Sequence, residues 1–211
     1  SVSLSFINFV KLIKILKTDK VLSIESNWNE TTKGILEAHS WLKNIYSSYL
    51  GNKNKGGGSL HEHSHGIHLF IYITYLLNLN LNIRKKSMQI FKKNGLKKHD
   101  FISNIQFYSQ DNIFYKINTD FYSSPAQKNI KIQYEDQRIE LHFSTLKNQD
   151  EIHFYKNGNL DKKIFKKTRK DDFTMEIKHI LGIKNTTQYN QSPLNYKFGL
   201  NVVEFINKYF R

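Results

Sequence analysis

The sequence predicts an α+β fold, and three observations carry that prediction. Between residues 83 and 166, short segments alternate apolar and polar residues and are separated by turn residues, the signature of successive strands. Apolar residues recur at helical spacing at both ends, and one stretch near residue 70 is apolar on nearly every side. With 211 residues, 39% of them hydrophobic and 14% aromatic, the chain can bury one sizeable core, so a single domain of packed helix and sheet layers is expected.

Each element has its own signal. Phe6, Phe9, Val10, Ile13 and Leu16 share a helical face, predicting a helix over about 5–17. In 20–28, Val21, Ser23, Glu25 and Asn27 alternate with Leu22, Ile24, Ser26 and Trp28, which suits a strand with two mixed faces. From Glu30 to Lys55 the pattern weakens to a long excursion with a short helical part. Ser64 reads as the cap of a helix from His65 to Leu77, apolar all round and therefore buried. Strands follow over 83–92, 101–108, 112–122, 129–135, 138–145, 151–156 and 159–166. Asn157-Gly158 is the strongest hairpin signal, because both positions of a type I′ turn need positive φ. Ile130, Ile132 and Tyr134 against Lys131, Gln133 and Glu135 imply a sheet with one face buried and the other polar or otherwise covered. Phe173, Ile177, Ile180 and Leu181 predict a short helix stopped by Gly182. Ser192 and Pro193, read as an N-cap and a first helical position, open a last helix whose apolar face is Leu194, Phe198, Val202, Phe205, Ile206 and Tyr209.

Composition narrows the function. Without cysteine there is no disulfide or thiolate site, so His, Asp or Glu would have to hold any metal. The longest apolar stretch, 67–77, is too short to span a bilayer, and the N-terminus lacks the features of a signal peptide; no membrane partner and a cytoplasmic location are expected. A formal charge of +14 suits phosphate binding, but the cations are nearly all lysine, with arginine only at 84, 138, 169 and 211. The forked donor that reads phosphate and guanine is therefore scarce. The basic runs 83–99 and 161–170 read as solvated surface, and no nucleic-acid partner is expected.

Residues 56–68, GGGSLHEHSHGIH, concentrate the chemistry. The glycines are neither a dinucleotide fingerprint nor a P-loop, since they do not follow a strand in G-x-G-x-x-G form or end in Gly-Lys-Ser/Thr. Three readings of the histidines stand. If 60–65 were extended, His61, His63 and His65 would share a face and could meet one zinc ion with Glu62 or His68 nearby, although a cap at Ser64 breaks that alternation. Alternatively, His65 in the first helical turn is kept neutral by the macrodipole and oriented by Glu62, as a general base requires. In the third reading the glycines form an ordinary turn and His65 and His68 are satisfied residues of a buried helix.

The block GGGSLHEHSHGIHLFIYI resembles the signature of the Gfo/Idh/MocA (glucose-fructose oxidoreductase/inositol dehydrogenase) family, in which three glycines precede a hydrophobic pair, an acidic residue, a catalytic His and an Asp three residues on. On this chain those positions are Glu62, His65 and, in place of the Asp, His68. LKTDKVLSIESNW resembles the family's first strand of this domain, EAHSWL and SYLGNKNKGGG its substrate-side loop, RKDDFTMEIKHIL its late helix, and SPLNYKFGLNVVEFINKY its closing helix. Together these cover almost the whole chain.

The resemblance implies an open, largely antiparallel or mixed sheet with helices packed on one face, as in the C-terminal domain of glyceraldehyde-3-phosphate dehydrogenase. It implies a single substrate-binding and oligomerisation domain over 1–211. The family's N-terminal Rossmann domain, with its Gly-rich NAD(P) fingerprint and Glu-Lys-Pro motif, has no counterpart in these residues, so the expectation is a C-terminal domain inactive alone. The implied reaction is hydride transfer between NAD or NADP and a carbinol or keto carbon of a sugar, nucleotide sugar or cyclitol. His65 would exchange the hydroxyl proton and Glu62 would orient it; His68, His39, Trp41, Tyr46 and Tyr49 would contact substrate; Gly56, Gly57 and Gly58 would face the cofactor; no metal is expected. Pairing through the sheet face into homo-oligomers is implied as well. The alternative is a non-catalytic ligand-binding or assembly module of the same fold with a basic surface for an acidic partner.

Overall fold

A computed structural model describes residues 2–16, 19–92, 99–146 and 148–210. Alternation organises the sheet: along β5 (Gln127–Tyr134), Ile130, Ile132 and Tyr134 are fully buried while Lys131 and Gln133 point to the other face. Eight strands form one sheet in the order β2 (Ile83–Lys92), β3 (Asp100–Ser109), β4 (Phe114–Asp120), β1 (Val21–Asn29), β5, β6 (Gln137–Leu146), β7 (Gln149–Lys156) and β8 (Asn159–Lys166). Neighbours are antiparallel except β1 and β4, which run parallel, so the sheet is mixed. Parallel strands need a long crossover, and the chain uses that journey to carry residues 30–82 over one face. Asn157 and Gly158, at φ 52° and 76°, make the tight β7–β8 turn that their types predict.

Helices cover that face: α1 (Leu4–Ile15), α2 (Thr32–Ala38), α3 (Ser59–Glu62), α4 (Ser64–Leu76), α5 (Arg169–Leu181), α6 (Thr186–Gln191) and α7 (Tyr196–Phe210). Phe9 and Ile13 of α1, Ile67, Phe70 and Ile73 of α4, and Phe198, Val202 and Ile206 of α7 close over Ile24, Ile105, Tyr115, Ile130 and Ile139. Each such side chain contributes roughly 1.5–3 kcal/mol by leaving water. Helix α4 is buried over most of its length, although His65 and Tyr75 at its two ends are exposed, and lies close to β1: Ser26 Oγ donates to the Gly66 carbonyl at 2.9 Å, and a Cβ at Gly66 would meet Trp28 Cβ at 3.0 Å. Ile35, Ile45, Leu50 and Phe121 form a smaller second cluster that holds the 30–55 excursion down.

The opposite face of the sheet is mostly polar along its middle. Asn104, Asn118, Asn27, Asn129, His142 and Glu151 lie side by side across β3, β4, β1, β5, β6 and β7, and the amides of Asn118, Asn27 and Asn129 are hydrogen-bonded in series. Beside them runs a row of mostly alternating charge: Lys116, Glu25, Lys131, Glu140, His153 and Lys162. Opposite charges placed across from one another stabilise a sheet.

Several expectations are corrected. Ser64 is not a cap but the first residue of α4; a short turn of helix, α3, precedes it, and His63 lies between the two. Ser192 ends α6 rather than opening the last helix, and Pro193 lies in the turn beyond it; the Asn195 side chain, which accepts from Lys197 N at 2.8 Å, leads into α7. Helix α6 carries no apolar stripe and was not anticipated; Asn185 caps it through Gln188 N. Helix α5 forms as predicted, but Phe173, Ile177, Ile180 and Leu181 are exposed. The expected end of the first helix at Lys17 and the 93–98 part of the first basic run lie outside the described residues. Among the described residues no helix is long and apolar enough to cross a membrane.

Candidate functional site

The glycine block is shaped first by the chain's own packing. Gly57 N–H donates to the Asn52 carbonyl and Gly58 N–H to the Leu50 carbonyl, both at 2.9 Å. A Cβ at Gly57 would fall 2.0 Å from the Tyr49 carbonyl oxygen, and one at Gly58, where φ is 113°, 1.9 Å from Asp100 Oδ1. Gly56, also at positive φ, has nothing within 4 Å of such a Cβ. The buried Asp100 carboxylate then anchors the start of α3, accepting from Ser59 Oγ at 2.5 Å, Leu60 N at 2.9 Å and Ser103 Oγ at 2.8 Å.

Because 59–76 is helical apart from the step at His63, successive side chains turn by about 100° and the four histidines diverge. His63 is 3% exposed and its Nε2–H donates to the Asp120 carbonyl at 2.9 Å. Burial pushes its pKa down to about 4, against the opposing pull of that hydrogen bond. Among the described residues, no three of His61, Glu62, His63, His65 and His68 bring ligand atoms within reach of one ion.

His65 and His68, three apart on α4, do face one space: a groove of about 460 Å³ between α4, the ends of β1, β5 and β6, and α5. Trp28, Lys128, Lys167, Arg169, Asp172 and Glu176 complete its walls. His65 is exposed at its edge, with its ring centroid 6.2 Å from that of Trp28. Its pKa is lowered, chiefly by the hydration lost on its packed side; Lys128 acts in the same direction and Glu62 against it. Burial likewise takes the half-buried His68 down to about 4. Both imidazoles are thus neutral near pH 7. Lys167 bridges the buried Asp150 at 2.8 Å and Asp172 at 2.7 Å; burial opposes its charge, but the two carboxylates outweigh that and raise its pKa. Lys128 pairs with Glu30 at 2.7 Å, while the Arg169 guanidinium lies 5.7 Å from the centre of the Phe173 ring.

The other expected residues lie elsewhere. Glu62 accepts from Tyr49 OH at 2.9 Å, and burial together with that carboxylate pushes the phenol up to about 12. Among the described residues no hydrogen bond joins Glu62 to His65. His39 and Trp41 pack edge to face, 5.0 Å between centroids, with Trp41 largely in solvent, and Tyr46 packs against His99. None of His39, Trp41, Tyr46 and Tyr49 lines the groove. The wall residues that sequence reasoning left out carried faint signals: Trp28 closes an alternating strand, and Arg169 to Asp172 form a charged helix entry. Lys128 and Lys167 were indistinguishable from the other lysines.

No protein-family model matches the sequence, and no curated protein matches it. Solved structures do resemble the fold. An aldose-aldose oxidoreductase from Caulobacter crescentus, complexed with glycerol, superposes with a TM-score of 0.67 at 12% identity, over 98% of this chain and 58% of that one. KijD10, a 3-ketoreductase from Actinomadura kijaniata in complex with NADP and TDP-benzene, superposes with a TM-score of 0.59 at 9% identity, over 89% of this chain and 55% of that one. The chain therefore spans little more than half the length of these structures, and at such identities the likeness is one of fold. The eight-stranded mixed sheet with helices on one side is the fold of the C-terminal domain of Gfo/Idh/MocA oxidoreductases.

Proposed function

We propose that this chain is the substrate-binding and catalytic part of an NAD(P)-dependent oxidoreductase acting on a sugar-like carbinol or keto carbon. One observation carries the reading: on this fold, a neutral His65 in the first turn of α4 opens onto a groove whose opposite wall presents Arg169 and Lys167. A neutral imidazole at that place takes the proton of a substrate hydroxyl on oxidation and returns it on reduction, help worth on the order of 10²–10⁴-fold in rate. His68 stands beside it as a second polar contact. Arg169, whose ring partner leaves its donors available, suits an anionic substituent such as a nucleotide-sugar phosphate. Glu62 acts on His65 through its charge, and Tyr49 holds that carboxylate in place.

Nicotinamide, when bound, supplies the hydride acceptor or donor. Gly57 and Gly58 are filled by this chain's own atoms and make no dinucleotide cradle; Gly56 alone of the three leaves room for close approach. The dinucleotide is accordingly assigned to a Rossmann domain encoded upstream, in the cytoplasm where the cofactor pool is. The exposed stripe of Phe173, Ile177 and Ile180 supports such a docked domain, because apolar patches rimmed by polar residues mark contact surfaces. Copies of the chain pair through the polar sheet face.

The test is NAD(P)H turnover by the polypeptide with its upstream coding sequence, against aldoses, nucleotide sugars and inositols. His65→Ala should lower kcat about 100-fold or more while the circular dichroism spectrum is unchanged. Undiminished turnover would remove His65 from the mechanism, and an in-frame start at Ser1 would favour the non-catalytic module.

A further inference from the structure

The sequence drew attention to the histidines at 61–68, but the fold assembles a different set. On the polar face, β6 presents Glu140 and His142, and β7 presents Glu151 and His153, in a register that puts Glu140 opposite His153 and His142 opposite Glu151. The result is a checkerboard in which each imidazole has a carboxylate beside it on its own strand and another across from it. His142 Nε2 and Glu140 Oε2 are 2.6 Å apart, His153 Nε2 and Glu151 Oε2 2.8 Å, and the two imidazole centroids 4.4 Å. Ligand atoms of Glu140, His142 and His153 all lie within 4.8 Å of one another.

We propose that Glu140, His142 and His153 form a binding site for a divalent transition-metal ion of the zinc class, separate from the groove. Two imidazoles and a carboxylate are a donor set such ions accept, with water in the fourth position. Ligand atoms around tetrahedral zinc stand ~3.3 Å apart, so side-chain rotation of about 1.5 Å closes the set without backbone movement. The strands supply that rigidity, since both belong to the sheet interior and the three residues come from one hydrogen-bonded pair. Burial opposes ionisation of Glu140, but the hydrogen bond from His142 and the charges of Lys131, His142 and Arg138 outweigh it, so the carboxylate is ready to ligate. Arg138 contacts the other oxygen, Oε1, at 2.7 Å and need not leave; it also rests on the Tyr155 ring, 4.1 Å from its centre. Glu151, held by Lys162 at 2.6 Å, remains beside His153 to orient it, as carboxylates do behind metal-bound imidazoles.

The experiment is calorimetric titration of the chelator-stripped chain with Zn²⁺, repeated with Co²⁺ read by its visible absorption. One equivalent per chain is expected, and the thermal midpoint should rise with added Zn²⁺. His153→Ala and Glu140→Gln should each weaken binding about tenfold or more, whereas the His61→Ala/His65→Ala double variant should leave it unchanged. Glu140→Gln keeps the size of the side chain, so a fold lost in His153→Ala does not remove the readout. Absence of stoichiometric binding by the wild-type chain overturns the proposal, as does binding that survives His142→Ala/His153→Ala or disappears with His61 and His65.

Discussion

His63 shows how much a single side chain can decide. It stands in a run of four histidines, yet burial and the Asp120 carbonyl make it a structural joint between α3 and α4. Its pKa is about 4 in the fold against 6.5 for an ordinary histidine, so the unfolded chain binds a proton that the folded one refuses. The stabilisation is complete above about pH 6.5 and is lost as pH falls toward 4, amounting to ~3 kcal/mol at ~1.36 kcal/mol per pKa unit. His68 acts in the same direction. Urea unfolding should therefore show a lower midpoint at pH 5 than at pH 7, with His63→Gln flattening that difference; an equal slope in the variant would place the acid lability elsewhere. Glu62, next to it, was expected on His65 and is found on Tyr49, because helical rotation rather than sequence adjacency determines which neighbours meet.

At the scale of elements, apolar periodicity located α1, α4, α5 and α7, but not their ends or what covers them. Helix α5 is the clearest case: its stripe has helical spacing, yet none of its side chains is buried. What holds its N-terminus is local. Thr168 Oγ1 accepts from Asp171 N at 3.3 Å while Asp171 Oδ2 accepts from Thr168 N at 2.7 Å, a reciprocal cap. Losing it with Thr168→Ala costs about 1 kcal/mol. Since α5 adds little to the core, the expected signature is faster amide exchange confined to 169–176 with the global thermal midpoint nearly unchanged; a large global loss would show that α5 is coupled to the sheet. The Ser192-Pro193 pair misled because a serine before proline suits a turn as well as a helix start, and the backbone entering α7 uses Asn195 instead.

For the whole molecule, the sheet's two faces have different tasks. One buries the core and positions α4 over β1, so that Trp28 and His65 meet. The other carries the asparagine series and the charged row, with apolar residues such as Ile102, Tyr108 and Phe114 on β3 and β4 and Leu160 and Ile164 on its β8 edge. Pairing of copies through such a face would rest on hydrogen bonds and ion pairs, which salt screens over ~10 Å at 0.1 M. Sedimentation equilibrium should then find a dimer that weakens as NaCl is raised from 50 to about 500 mM; a salt-indifferent dimer would point to the apolar stripe of α5 instead.

The sequence by itself determined the helix and sheet layers, the Asn157-Gly158 hairpin, the buried rows of β5 and the catalytic resemblance of 56–68. The first three rest on local rules, period and turn chemistry, that act within a few residues, and the last on likeness to a family motif. Only the tertiary structure decided that Gly57 and Gly58 yield to the chain's own backbone and Asp100, and that His65 and His68 share a groove with Lys167 and Arg169, about 100 residues away in the chain. It also set His142 against His153, on different strands. Those pairings depend on strand order and register, which arise from the packing of the whole sheet and leave no trace in any short window of residues.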